Sequence, residues 1–385
     1  MNELKDKTIH TQSDDQIRYQ NELIKRQYFD YMRDSKGFCD DSIKTYEKAM
    51  LLWQDFSGEE DFGCFNKDRA KRFKKWLAER PGKIDTKLSL SYQYDSLRKL
   101  QGFLTWLSMQ DQYKSRINRT DIDFLNLGKK EKRQALQQVR KKSPTLEQIK
   151  ATIETIKPNT EVDMRDRALL SLTLLSGARI SAITSLPMRA FDRTDCILDQ
   201  NPRYGVKTKN SKKITTALFP LSYKEPRQYF LDWYDYLESK RGFGPDDPIF
   251  PATKREQGEK NISYYSSGNV GREFWSSSSS ARKIFEKRYI AAGVPYFNPH
   301  SLRHLVVKEC MKMPLTEEQK KAVSQNLGHA QVTTTFGSYG YGQISEDRQI
   351  ELLKEIASGN GSFVTNSRLT DEEITRIAEA LNKSK

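Results

Sequence analysis

Apolar positions recur every three to four residues along most of the chain, which is the helical period. In the first third they predict four helices. The first starts near Asp15 and runs through Leu23, Ile24, Tyr28, Phe29 and Met32. The second, capped by Asp40 or Asp41, carries Tyr46, Met50, Leu51, Trp53 and Phe56. The third, capped by Asn66, carries Phe73, Trp76 and Leu77 and stops at Pro81-Gly82. The fourth, from about Ser89 to Met109, places Tyr92, Leu97, Leu100, Phe103, Leu104 and Leu107 on one side. Residues 1–15 are polar and read as a flexible end.

From about Asp111 to Lys142 the pattern breaks into polar and charged residues. The reading places a helical domain at 16–125, a basic linker at 126–142, and a second domain at 143–357. Thr145-x-x-Gln148 forms a capping box for the first helix of that domain. The next helix, about Val162 to Ser176, is apolar on every side late in its course and ends at Gly177. Alternation then replaces the helical period. Gly205–Lys209 and Ile214–Phe219 read as strands of a hairpin joined by Asn210–Lys213. Helical patterns return at Pro226–Arg241 and Ala281–Ala292, with a loop-rich, serine-rich stretch at Gly258–Ser280 between them. Further helices are expected from His300, from the capping box Thr316-x-x-Gln319, from Thr333–Thr335, and from Ser345 through Ile356. A tail at 358–385 follows a flexible Gly359–Ser362 joint and bears an amphipathic helix capped by Thr370. The fold class is therefore mainly α with a small β-hairpin or sheet (α+β).

Charge narrows the function. The 385 residues hold 65 Lys and Arg against 51 Asp and Glu, a net +14 spread over both halves. Such an excess points to a polyanion, most simply nucleic acid. No apolar run approaches the ~18 residues needed to span a bilayer, and the polar N-terminus is no signal peptide. Cys39, Cys64, Cys196 and Cys310 lie far apart in no Cys-x-x-Cys pair. They read as reduced thiols of a cytoplasmic protein, neither a disulfide frame nor a metal site. No carboxylate cluster suited to Mg²⁺ stands out, and no cofactor is called for.

The histidines locate the chemistry. There are four, and His300, His304 and His329 fall within one segment. His300 and Arg303, three apart, share a helix face, where an imidazole and a permanently charged guanidinium make a phosphate clamp. Tyr339 follows, so a phenol could attack the phosphate that the clamp holds. Arg179, directly behind a buried helix and a glycine, is either a site residue or a surface residue at a bend. Lys209, Lys212 and Lys213 of the hairpin could reach DNA.

In combination, Arg179, the lysine hairpin, Asn298-Pro299-His300-Ser301-Leu302-Arg303-His304, Leu327-Gly328-His329-Ala330-Gln331-Val332-Thr333-Thr334-Thr335 and Tyr339 resemble the tyrosine recombinases, or phage-type integrases. The resemblance implies an N-terminal helical core-binding domain and a tyrosine-recombinase catalytic domain. It implies Tyr339 as nucleophile, with Tyr341 as rival. Arg179 and Arg303 would bind the scissile phosphate, and His300 and His329 would complete the pocket by hydrogen bonding and proton transfer. A hairpin lysine would protonate the departing 5′ oxygen: Lys209 first, with Lys207 and Lys212 as rivals. The implied activity is site-specific recombination of double-stranded DNA through a 3′-phosphotyrosyl link, without metal or ATP, by a tetramer on two sites. The alternatives are a type IB topoisomerase-like enzyme and a catalytically silent DNA-binding protein of the same fold.

Overall fold

A computed structural model describes residues 2–82, 87–137, 142–257, 264–341, 349–351 and 353–354, with side chains described except at 2–13, 255–257, 264–267 and 338–341. The chain divides into two compact units, Met1–Gln137 and Gln138–Lys385.

The first unit is built from helices α1 (Asn2–Asp30, continued by a π-helical turn Tyr31–Ser35), α2 (Asp40–Ser57), α3 (Lys67–Glu79), α4 (Leu90–Leu107), the single turn α5 (Arg119–Ile122) and α6 (Lys129–Leu136). Its core is rich in aromatic residues: Tyr28, Trp53, Phe62, Phe73 and Phe103 are buried together. Asn66 caps α3 as its sequence predicts, its side-chain oxygen accepting from the Asp68 and Arg69 amides. Asp40 and Asp41 do not cap α2. Cys39 occupies that position, and the two carboxylates fall inside the first turn, where they still oppose the positive pole of the helix.

Two stretches of this unit are more helical than their apolar pattern predicts. The polar end 1–15 is helical from Asn2 onward. It contains no proline or glycine to break a helix, so α1 extends beyond its apolar stripe. The stretch 126–142, expected as linker, begins with α6, whose Ala135 is buried. One small apolar residue among lysines gave too weak a stripe to read.

The second unit follows in the order α7 (Leu146–Thr155), α8 (Glu161–Ser176), α9 (Ile180–Ile183), β1 (Phe191–Asp192), β2 (Ile197–Gln200), β3 (Ile214–Ala217), α10 (Glu225–Ser239), β4 (Thr253–Gln257), β5 (Tyr264–Val270), α11 (Ser279–Ala291), α12 (His300–Cys310) and α13 (Glu317–Asn326). A π-helical segment, Thr334–Tyr341, packs on α12. α8 is the axis of the unit. Leu169, Leu170, Leu172 and Leu174 are fully buried on all its sides, as expected of a helix apolar all round. α10 lies along it. Both capping boxes form, at Thr145/Gln148 and Thr316/Gln319.

The hairpin is rearranged relative to its sequence reading. β3 pairs antiparallel with β2, Gln200 opposite Ile214 and Leu198 opposite Thr216, and β1 completes a three-stranded sheet. Residues 205–209 are not a strand. Gly205 takes a left-handed conformation and only Val206 is buried there, so one apolar anchor fixes a loop instead of an alternating face. The expected loop-rich stretch 258–280 also changes: it contains β5, which pairs antiparallel with β4. The expected helix from Ser345 and the tail beyond 358 lie outside the described residues, apart from helical turns at 349–351 and 353–354.

A buried ionic network fixes α8 against its surroundings. Asp166 accepts from Arg165 (3.2 and 2.8 Å) through one oxygen and from Arg288 of α11 (2.9 and 2.7 Å) through the other. Arg165 also donates to Pro251 O at 3.1 Å and Thr253 Oγ1 at 2.8 Å, and its guanidinium lies over the Trp275 ring. At the start of α8, burial alone would raise the Glu161 carboxyl. Hydrogen bonds from Arg241, Tyr236 and the Val270 amide outweigh it and hold the group below the usual carboxylate range.

Candidate active site

Gly177 ends α8 in the left-handed conformation (φ 56°), its amide still donating to Thr173 O. A Cβ there would meet Leu327 Cδ2 at 2.7 Å, so the tight turn and the close approach both call for glycine. The turn sets Arg179 at the start of α9, half-buried. It also presents Gly177 O to Arg303, whose Nη1 donates to it at 2.9 Å.

Arg303 stands one turn into α12 and is 2% exposed. Its Nη2 donates to Leu327 O and contacts His329 Nε2 at 2.6 Å. One guanidinium thus ties the end of α8 to the turn after α13. His300 opens α12, its amide capped by Asn298 Oδ1 at 3.0 Å. The His300 and His304 rings meet edge to face, 5.8 Å apart, with His304 buried behind.

His329 follows Gly328, which ends α13 at φ 72° and sits against Ile214 of β3. Its ring is buried, with Nδ1 2.7 Å from Thr335 Oγ1. Burial, then the charges of Arg303, Arg179, His300 and Lys209 in that order, pushes this imidazole down to about 3. The ring is neutral at physiological pH.

The lysine loop is held on both sides. Lys207 is pinned through its backbone: its amide donates to Ser185 Oγ at 2.8 Å and its carbonyl accepts from Ser181 Oγ at 3.3 Å, on and just after α9. Lys209 follows, and Asn210 and Ser211 then turn the chain with φ of 57° and 48°. Of the loop lysines, Lys209 is the one whose charge is felt most at His329. Lys213 pairs with Asp199 at 3.5 Å, and Lys212 flanks a cleft with Gln325 and Asn326. On the far side β3 is locked to α13. The Asn326 side chain accepts from Ala217 N at 2.7 Å and donates to Ala217 O at 2.9 Å, copying a strand partner. Thr216 Oγ1 donates to Asn326 O at 2.8 Å.

The structure therefore brings Arg179, Arg303, His300, His329 and Lys209 into one electrostatic neighbourhood. It places Tyr339 and Tyr341 in the Thr334–Tyr341 segment, with their side chains outside the described residues. Sequence reading missed Asn326, Ser324 and Thr335. None carries a charge or a spacing that marks it; only Thr335's place between His329 and Tyr339 was a signal.

Comparison with known proteins identifies the family. The family model described as "Phage integrase family" matches residues 142–342. Tyrosine recombinase XerC of Pelobacter propionicus is 25% identical over 207 residues, 54% of this chain and 57% of the relative. Tyrosine recombinase XerD of Vibrio vulnificus is 24% identical over 217 residues, 55% and 58% of the respective lengths. The chain thus spans little more than half the length of these relatives. Among solved structures, a lambda integrase (75-356) dimer bound to a COC′ core site shares the fold, with TM-score 0.55 over 84% of this chain and 96% of that one at 13% identity. A lambda integrase tetramer bound to a Holliday junction aligns with TM-score 0.54 over 83% and 78% at 12% identity. Since the family model covers more than half of the chain, and the two arginines, two histidines and Tyr339 all fall within the matched span, the chain belongs to the phage integrase family.

Proposed function

We propose that this protein is a site-specific DNA recombinase that cuts and rejoins double-stranded DNA through a 3′-phosphotyrosyl intermediate. The observation that carries the reading is the buried Arg303–His329 contact, with the charges of Arg179, His300 and Lys209 acting on the same imidazole. Two guanidiniums and a lysine whose charges act on one point favour an anion there.

In this reading Arg179 and Arg303 hold the non-bridging oxygens of the scissile phosphate. They stabilise the charge that spreads over those oxygens as the bond breaks. Tyr339 attacks the phosphorus. A phenol with an ordinary pKa near ~10 needs a proton acceptor or strong cationic surroundings to react near neutrality. His300 and His329 complete the pocket by hydrogen bonding and proton transfer, and Lys209 protonates the departing 5′ oxygen. Phosphorus exchanges one ester oxygen for another, so the phosphotyrosyl bond retains the energy of the broken link and rejoining needs no ATP. Exchange of the attacking 5′ hydroxyl gives recombination. By likeness to the lambda integrase dimer and tetramer on DNA, the working form is a tetramer on two sites. The first unit would serve as the core-binding domain and residues 143–357 as the catalytic domain. No helix among the described residues is long and apolar enough to cross a membrane, in keeping with action on cytoplasmic DNA.

The test is covalent trapping. The purified protein is incubated with DNA flanking its own gene, denatured, and the adduct mapped on both peptide and DNA. An adduct on Tyr339 bearing a 3′ phosphate, lost in Tyr339→Phe with DNA binding kept, supports the assignment. An adduct on Tyr341 overturns the choice of nucleophile, and tight binding with no adduct overturns the enzymatic reading.

A further inference from the structure

Asn326 is the last residue of α13, and it meets β3 with both its side chain and its backbone. β3 is the edge of its sheet, which runs β1-β2-β3, so the outward N–H and C=O of Ala217 have no strand to pair with. The Asn326 carboxamide takes both: Oδ1 accepts from Ala217 N at 2.7 Å and Nδ2 donates to Ala217 O at 2.9 Å. A carboxamide offers the donor and the acceptor of a peptide group, and asparagine is the shortest side chain that carries one. The backbone adds a third bond. Asn326 O, among the last carbonyls of α13 that no helical N–H can reach, accepts from Thr216 Oγ1 at 2.8 Å, and Gln200 Nε2 of β2 donates to that same hydroxyl at 2.8 Å. Thr216 is 0% and Gln200 3% exposed, so water does not compete for this bond. Successive strand residues alternate in face and in the edge their backbone groups address, so the three bonds admit one register of β3 only.

That register matters because of what lies on either side. Upstream, β3 is the return arm of the loop that carries Lys209. Directly after Asn326, Leu327 O accepts from Arg303 Nη2, and Gly328 sits against Ile214 at the start of β3. Residues 326 and 327 therefore touch the lysine loop's return arm and the buried arginine at once. We propose that Asn326 is a positioning residue for proton donation to the leaving 5′ oxygen: its carboxamide stands in for a further strand and holds the lysine loop in register with the turn that Arg303 grips. The inference rests on the recombinase reading for the work of the lysine and on the three bonds alone for the clamp. Asn326 takes no part in holding the phosphate; it acts through the lysine.

Asn326→Leu keeps the size of the side chain and removes both carboxamide bonds. Two readouts on the full chain separate positioning from general damage. Without DNA, amide hydrogen exchange should show the Ala217 N–H protected in the wild type and exchanging freely in Asn326→Leu, with the α8 amides unchanged. With DNA, the cleavage rate of Asn326→Leu on the protein's own site should fall about 10²-fold. DNA carrying sulfur at the bridging 5′ position should restore that rate, because a thiolate leaves without a proton. A rate equally low on both DNAs would show a merely structural role and overturn the inference. An unchanged rate on ordinary DNA would overturn it too, as would a wild-type Ala217 amide that exchanges freely. If Asn326→Leu does not fold, Asn326→Asp, which keeps an acceptor and sets a carboxylate against Ala217 O, takes its place with the same expectations. Wild-type protein that binds DNA and forms no adduct would sink the recombinase reading, and the lysine's role with it, while a protected Ala217 amide would leave the clamp standing.

Discussion

Gly328→Ala should uncouple the position of His329 from the rest of the fold. Gly328 sits at φ 72°, and a Cβ there would lie 2.4 Å from Ile214 Cδ1, 3.0 Å from Cγ1 and 3.2 Å from Cγ2. Two separate penalties follow. The left-handed conformation costs an alanine about 1–2 kcal/mol, and overpacking against β3 costs about 1–3 kcal/mol. Restricting the unfolded chain returns about 0.4–1 kcal/mol. The net expectation is a loss of about 1–4 kcal/mol. Ile214→Val separates the parts, because it removes the atom that clashes hardest and costs about 0.5–1.5 kcal/mol by itself. The double variant should be more stable than the sum of the singles by about 1–2 kcal/mol, with the backbone penalty remaining. Denaturant midpoints followed by circular dichroism give the four stabilities, with two transitions fitted where the two units unfold separately. Covalent trapping on DNA gives the functional side. A shift of His329 by an ångström should lower adduct formation by about 10²-fold. A Gly328→Ala loss below about 0.5 kcal/mol, or a double variant that merely sums the singles, would refute the packing argument.

Three further outcomes are expected. Asp166→Ala should destabilise the second unit by about 3–5 kcal/mol, because it strands the buried Arg165 charge; joint replacement of Arg165, Asp166 and Arg288 by apolar residues should recover much of the loss in thermal denaturation, and a single-variant loss under about 1 kcal/mol would contradict the network. His329 is held down at about 3, against about 6.5 unfolded, so between those values the unfolded chain binds a proton that the folded ring refuses, and stability falls as pH falls with a slope of up to about 1.4 kcal/mol per pH unit. His329→Asn should flatten the dependence of the urea midpoint between pH 5 and 7, and equal slopes in the two proteins would show the ring to be ordinary. Lys209→Ala should slow cleavage about 10²–10⁴-fold, and DNA carrying sulfur at the bridging 5′ position should restore the rate, since a thiolate leaves without a proton; Lys212→Ala should do neither, and the reverse result would move the general acid.

What the sequence disclosed and what it withheld divide along a physical line. Patterns within one element were legible. The stripe of α4, the all-round apolar course of α8 and the two capping boxes depend on residues three or four apart, and all formed. The family was legible only from a constellation: a His-x-x-Arg pair such as His300 and Arg303 is common by chance and gains meaning beside Arg179, the lysine hairpin, His329 and Tyr339. Closures across long sequence separations were not. Arg165 and Asp166, adjacent opposite charges, carry no local mark of burial, yet both are buried because Arg288 reaches Asp166 from 122 residues away. Strand β2 is too short to stand out by alternation, and Gly205–Lys209 reads as the partner of β3 instead. The choice between them depends on which segment can reach Ile214, not on local alternation.

The same distinction explains why the choice among lysines stays open in sequence and why Lys209 is the one proposed. Lys207, Lys209 and Lys212 sit in one loop with near-equal composition around them. Two ties decide the loop's course. Its near end is bonded through the Lys207 backbone to Ser181 and Ser185, directly after Arg179. Its far end enters β3, which Asn326 and Gly328 lock to the turn that carries His329. A loop held at one end by the neighbours of the first arginine and at the other by those of His329 must carry its middle past both. Lys209 stands on that course, just before the left-handed pair Asn210 and Ser211 turns the chain. The proposed active-site cations are thus held less by contacts among themselves than by backbone closures around them. Substitutions at Ser185 or Asn326, neither of which touches the proposed phosphate site, should accordingly misplace the lysine while leaving both arginines where they are.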